Sequence, residues 1–301
     1  MPFSSPPQEQ IQRNNRSLRP IARVLLPIVI FLVLVIAYAL IDRQFTEPLI
    51  GVVPIDGVIL ESESTIKKLQ ILENNPSVKG VIVRINSPGG AVAPSQEIFT
   101  ELLRFKKKKV VYVSIASVAA SGGYYIAVGS NKIYANPGSL TGSIGVIMQT
   151  INVEKLMDKI GVRMETLKSG NNKDLGSAFR PMQPKERKLL EAVLLNTHDQ
   201  FIQAISDNRS LDIGKVRKLS DGRLFTGEQA VENGLIDGLA SFRETVERLR
   251  IDLGLGDQVQ LYYPTDRSNM LRSLIDLEAI FRLKETFTYT GLFYLGSMVR
   301  Q

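Results

Sequence analysis

VVYVSIASVAASGGYYIAVG, residues 110–129, decides the fold. Its first part is an apolar run rich in β-branched residues, its last part is helix-like, and Ala119-Ala120-Ser121-Gly122-Gly123 separates them. A short apolar strand that turns through small residues straight into a helix is the unit of an α/β protein with buried parallel strands. The same unit stands upstream, where GVIVRIN (80–86) leads through SPGG (87–90) into the helical pattern SQEIFTELLRF (95–105). Further out, IGVVPIDGVI (50–59) reads as a strand pair, and ESTIKKLQILENN (63–75) as a helix with Ile66, Leu69 and Leu72 on one face. KIYA (132–135), GSIGVIM (142–148) and VRMETLK (162–168) are expected as strands, and VEKLMDKI (153–160) as a helix. A long helix then runs from Pro184 to Arg209, entered through proline as helices prefer. DGRLFTGEQAVENGLID (221–237) reads as a strand and a helix stopped by Gly234, and QVQLYYP (258–264) as a last strand. This rhythm predicts the α/β class.

The 301-residue chain is 44% hydrophobic, ample for a buried core. It has no cysteine, so disulfides, thiolate metal sites and cysteine nucleophiles are excluded. The net charge of +7 is split between an N-terminal segment and scattered positions, so no nucleic-acid patch is read. The lysine run 106–109 falls where a helix ends and is read as a solvated C-terminus favoured by the helix dipole.

Residues 24–41, VLLPIVIFLVLVIAYALI, carry no charge and come close to the length needed to span about 30 Å of hydrocarbon. Arg13, Arg16, Arg19 and Arg23 precede this run and only Arg43 follows it closely, which places residues 1–23 in the cytoplasm as a basic tail. The rest of the chain is then extracytoplasmic on a single-pass anchor in contact with membrane lipid. A cleaved signal peptide, with Ala37 and Ala39 as the small-x-small pattern, and a buried core helix are the competing readings. The main domain is placed at residues 48–250 and a C-terminal extension at 251–301, within which FTYTGLFYLGSMV (287–299) is too short to span a bilayer.

Three glycine-rich turns, NSPGG (86–90), ASGG (120–123) and PGSLTGSIG (137–145), each adjoin an apolar strand and can converge at one edge of the sheet. Open α/β sheets bind ligands in that position. Ser121 stands at a helix start, where backbone N–H groups lack intrahelical partners and can face an oxyanion. A serine nucleophile needs a base. The single histidine, His198, lies in a helix whose apolar side is marked by Leu194, Phe201, Ile202 and Ile205, and is read as a packing residue. A lysine serves instead if its pKa falls from about 10.4 toward 7 to 8.

The motifs NSPGG, AASGGYYIA, GSLTGSIGVI and LKSGNNKDLGS occur in order across roughly residues 48–250. In them the chain resembles the signal peptide peptidase A family of membrane-anchored serine peptidases, in its single-domain bacterial form. The resemblance implies a crotonase/Clp-protease-like fold with repeated strand-strand-helix units, placed outside the bacterial cytoplasmic membrane. It implies a Ser-Lys dyad that cleaves hydrophobic peptides, signal peptides among them. Carried over, the nucleophile falls on Ser121, the oxyanion donors on the N–H groups of Gly90 and Gly122, and a serine that supports the base on Ser143. The base falls on Lys173, with Lys168 as the alternative. No cofactor and no metal are implied, and the resemblance points to a ring of identical subunits. An acyl-CoA hydratase-like enzyme of the same fold and an inactive membrane scaffold are the other readings.

Overall fold

β4 (Val110–Ala120) is the centre of the sheet, and it is so because its residues are apolar on both faces. In the computed structural model, which describes residues 27–36, 48–257, 259–265 and 293–295, Val111, Val113 and Ile115 face one core while Tyr112 faces another. β2 (Val78–Ser87) does the same with Val81, Val83 and Ile85 against Ile82, as a strand covered on both sides must. The sheet runs β7 (Leu224–Thr226), β6 (Leu140–Gly142), β4, β2, β1 (Leu49–Asp56), β9 (Gln260–Tyr262), and a further strand, β5 (Lys132–Ala135), pairs with both β4 and β8 (Gly238–Leu239). β1, β5, β6, β8 and β9 join it in parallel, whereas β7 runs antiparallel to β6.

Four helices cover one face: α2 (Glu63–Asn74), α3 (Val92–Phe105), α4 (Gly122–Val128) and α6 (Pro184–Arg209). The first three are crossovers between parallel strands and so fall on the same side. Leu69, Leu72, Ile98, Leu102 and Phe105 are the buried edge of that layer, and truncating one of them to alanine costs about 2–5 kcal/mol. The other face is covered by α9 (Phe242–Asp252), through Leu249, Phe242 and Val246 against Ile82, Tyr112 and Tyr134. Three short helices, α5 (Glu154–Lys159), α7 (Ile213–Leu219) and α8 (Gly227–Asn233), lie in the second half of the chain.

The α/β class holds, and several expected elements change. VRMETLK is not a strand: residues 162–168 are all exposed and lie beside no neighbouring strand, without which an extended segment has no ladder. In GSIGVIM the strand β6 stops at Gly142, because Ser143 turns the chain with a left-handed φ of 49°. The second half of IGVVPIDGVI gives one bridge, Ile59 to Gly90, where a strand was expected. β3 (Gly89–Ala91), unforeseen, carries that bridge on one edge and pairs antiparallel with β10 (Phe293–Leu295) on the other.

The chain divides into two compact units, Met1–Glu47 and Pro48–Gln301. In the first, residues 27–36 form helix α1, whose side chains from Ile28 to Ile36 are all exposed. Among the described residues no helix is long and apolar enough to cross a membrane, and the ends of the expected span at 24–41 lie outside them, as does the basic tail 1–23.

Candidate active site

β4 ends at Ala120, which pairs with Gly142 of β6, and Ser121 follows as the N-cap of α4. Its backbone is held at φ 52° and ψ −117° by two hydrogen bonds. The Ser121 N–H donates to the Gly142 carbonyl at 2.8 Å, and the Ser121 carbonyl accepts from Tyr125 N–H at 2.8 Å. A non-glycine residue in such a conformation costs about 1–3 kcal/mol, which the surrounding packing must offset. The sharp strand-to-helix turn is the geometry that presents a nucleophile at the end of a sheet. The Ser121 Oγ is buried and makes no hydrogen bond to any described group. The N–H of Gly122, at the first position of α4, has no intrahelical acceptor.

Gly90 reaches the same region through β3, which packs against α4. Ile59 N–H donates to Gly89 O at 2.9 Å and Ala91 N–H donates to Ile59 O at 2.7 Å. Because backbone groups alternate along a strand, the N–H and C=O of Gly90 itself point away from Ile59, toward the edge along which β10 lies. Only glycine fits there, since a Cβ on Gly90 would collide with the backbone of Ile59.

Ser143 leaves β6 beside Ser121. Its N–H donates to the Arg223 carbonyl at 2.8 Å, and Gly142 before it has a φ of 80°. Ser121, Ser143, Gly90 and Gly122 are thus assembled by three adjacent chain turns.

The lysines are not brought into hydrogen bonding with Ser121. Lys168 donates to Asp174 Oδ1 at 2.5 Å and to the Asn171 carbonyl at 3.2 Å. Asp174 also accepts from Arg180 Nε at 2.8 Å, and Arg180 reaches on to Glu186 at the start of α6. Arg180 first, and Lys168 next, hold the Asp174 carboxyl far below the usual carboxylate range. Arg180 and the Gln183 N–H likewise lower Glu186 to about 2. Lys173 is exposed, and its amine makes no bond to any described residue. His198 sits half-buried on α6, its Nε2 buried and without a hydrogen bond to any described group, Ser121 included. No group of acidic or histidine side chains able to hold a metal occurs among the described residues.

The profile of peptidase family S49 matches residues 103–256. A putative protease of Synechocystis sp. is 38% identical over 235 residues, covering 77% of this chain and 84% of that protein. The chain belongs to peptidase family S49, the signal peptide peptidase A family. It is a serine peptidase. A putative signal peptide peptidase SppA of Enterococcus faecium is 35% identical over 212 residues, 70% of this chain and 62% of its own length. Protease 4 of Salmonella typhi is 30% identical over 249 residues, and this chain covers 40% of it.

In this S49 peptidase some site residues carried no reading in the sequence. Ile59 braces β3, and the Arg223 carbonyl holds Ser143; both act through main-chain atoms, so their side chains gave no signal. Ser87 bonds the turn that leads to Gly90, and a serine ahead of Pro-Gly is a recognisable turn signal.

Proposed function

We propose that this chain is a membrane-anchored Ser-Lys endopeptidase that cuts extended hydrophobic peptides, signal-peptide remnants among them. The observation that carries the reading is the left-handed, buried Ser121 at the head of α4, with a hydroxyl that no described group engages. In this account the neutral amine of Lys173 takes the Ser121 Oγ proton as Oγ bonds to the scissile carbonyl carbon. The carbonyl π electrons move to oxygen, where the N–H groups of Gly90 and Gly122 stabilise the charge; one such donor is worth about 2.7–4 kcal/mol. Lys173 then returns the proton to the leaving amine, and water cleaves the acyl-serine by the same route in reverse. Ser143 helps hold the lysine.

Lys173 is favoured over Lys168 because Asp174, which would raise a neighbouring amine's pKa, is already bound by Lys168 and Arg180. The free amine of Lys173 and the unengaged Ser121 Oγ lie within one chain without meeting, which favours a dyad formed between subunits. The segment bearing the lysine also exposes Ile147, Ile151, Leu156, Ile160, Val162, Met164 and Leu167, an apolar surface suited to a second copy. A ring of such contacts, on a crotonase/Clp-like fold, would enclose the sites above the bacterial cytoplasmic membrane and exclude folded proteins. β10 supports the peptide reading, because it lies antiparallel on β3 in the lane an extended substrate would take.

Mixing Ser121→Ala with Lys173→Ala chains tests the reading. Co-assembled oligomers are expected to regain peptidase activity that neither variant has alone; inactive mixed oligomers would place the dyad within one chain.

A further inference from the structure

The Gly89–Gly90 peptide has a glycine on each side of its plane, and Gly89 has a φ of 106°, so its backbone meets little steric resistance to rotation. A peptide unit is planar and trans, so the Gly89 C=O and the Gly90 N–H point in opposite directions and turn together. Whatever fixes that carbonyl therefore aims that N–H. Two groups do so: Ile59 N–H at 2.9 Å, and the Ser87 hydroxyl, whose Oγ–H donates to Gly89 O at 3.4 Å while Oγ accepts from Gly89 N–H at 3.1 Å. Ser87 is wholly buried and pairs with Ala119 on the strand that carries Ser121. Its carbonyl lies 3.0 Å from where a Cβ on Gly123 would stand, so it also touches the first turn of α4. One residue thus ties the Gly90 amide to the turn that presents Ser121.

We propose that Ser87 is a positioning residue for oxyanion stabilisation, holding the Gly89–Gly90 peptide against rotation so that the Gly90 N–H faces the reacting carbonyl. This rests on the reading of Gly90 as an oxyanion donor. Without the hydroxyl, the Gly-Gly unit samples orientations in which the amide no longer points into the site. Substrate binding is little affected, because the interaction matters only when the oxygen becomes charged.

The test uses Ser87→Ala in the full chain, with a peptide substrate and a peptide aldehyde paired with its matching alcohol. The aldehyde carbon bonds to Ser121 Oγ, its oxygen takes up the electron pair, and the serine proton leaves to the base; the alcohol binds without that step. We expect Ser87→Ala to lose about tenfold in kcat with KM within twofold, and to lose the same factor in preference for aldehyde over alcohol. Ser87→Thr, which keeps the hydroxyl, should recover most of both. Ser130→Ala, which removes a buried hydroxyl that donates to Ala127 O at 2.7 Å, should lower Tm and leave kcat unchanged. If Ser87→Ala lowers Tm alone, Ser87 is structural and the proposal is overturned while the Gly90 reading stands. A wild-type enzyme with no aldehyde preference would remove both.

Discussion

Ser121 and Ser143 leave neighbouring parallel strands one residue past the paired Ala120 and Gly142, and both do so with a positive φ, 52° and 49°. Paired parallel strands run about 4.8 Å apart, so the two serines begin from adjacent points. The Ser121 N–H is bonded to Gly142 O, which makes the backbone of one serine the support of the other.

That relationship separates the hydroxyl of Ser143 from its backbone. Ser143→Gly relieves the left-handed strain and should keep or raise Tm, whereas Ser143→Ala keeps the strain. If the hydroxyl helps to hold the base as proposed, both variants lose about tenfold or more in kcat, since both lack it. Full activity in Ser143→Gly would reduce Ser143 to a turn residue.

The two lysines should behave differently. Lys173→Ala is expected to abolish peptide cleavage with no change in Tm, since its amine is bonded to nothing described. Lys168→Ala should retain appreciable activity and loosen the loop, because Lys168 is paired with Asp174. The opposite pattern in kcat would move the base to Lys168.

Acid should open that same loop. Arg180 lowers Glu186 to about 2 from its ordinary 4.5 and holds Asp174 still further down. Folded-state values below the unfolded ones give stability that is present above the ordinary carboxylate range and lost as pH falls toward 2. Protection of the amides of residues 168–186 against hydrogen exchange, taken relative to the free-peptide rate at each pH, is therefore expected to hold at pH 6 and to fall between about pH 4 and 2. In Arg180→Ala it should be low already at pH 6. Global Tm should move little, because the network ties one loop to the first turn of α6 and its opening is local. Protection that does not change with pH would contradict the network.

Much of this was legible in the sequence. The near-continuous apolar runs within 110–129 and 80–86 marked strands covered on both faces, and the glycine-rich turns beside them pointed to Ser121; Gly122, Gly90 and Ser143 were carried over from the family resemblance. VRMETLK misled because an alternating apolar pattern promises a strand only where a neighbour offers a ladder; residues 162–168 lie beside none, and their apolar side chains face outward. β3 and the Ile59 bridge were hidden because they are held by main-chain bonds between segments distant in sequence. The pairing of β10 with β3 was equally invisible, as nothing local in FTYTGLFYLGSMV names its partner.

β10 leads to a further expectation. Tyr294 pairs with Gly90, so Tyr294→Pro removes an N–H from β10 and should weaken a pairing that, on the proposed reading, competes with an extended substrate. KM for an extended peptide is then expected to fall about threefold or more with kcat nearly unchanged. A higher KM would mean that β10 helps to form the peptide site.

The central claim is that Ser121 is the nucleophile, and covalent labelling reaches it most directly. The intact protein is treated with a fluorophosphonate and the adduct mapped by mass spectrometry. The account predicts modification of Ser121, no labelling of Ser121→Ala, and labelling slowed severalfold or more in Lys173→Ala, where the base is missing. Labelling at another serine, or undiminished labelling of Ser121→Ala, would contradict it.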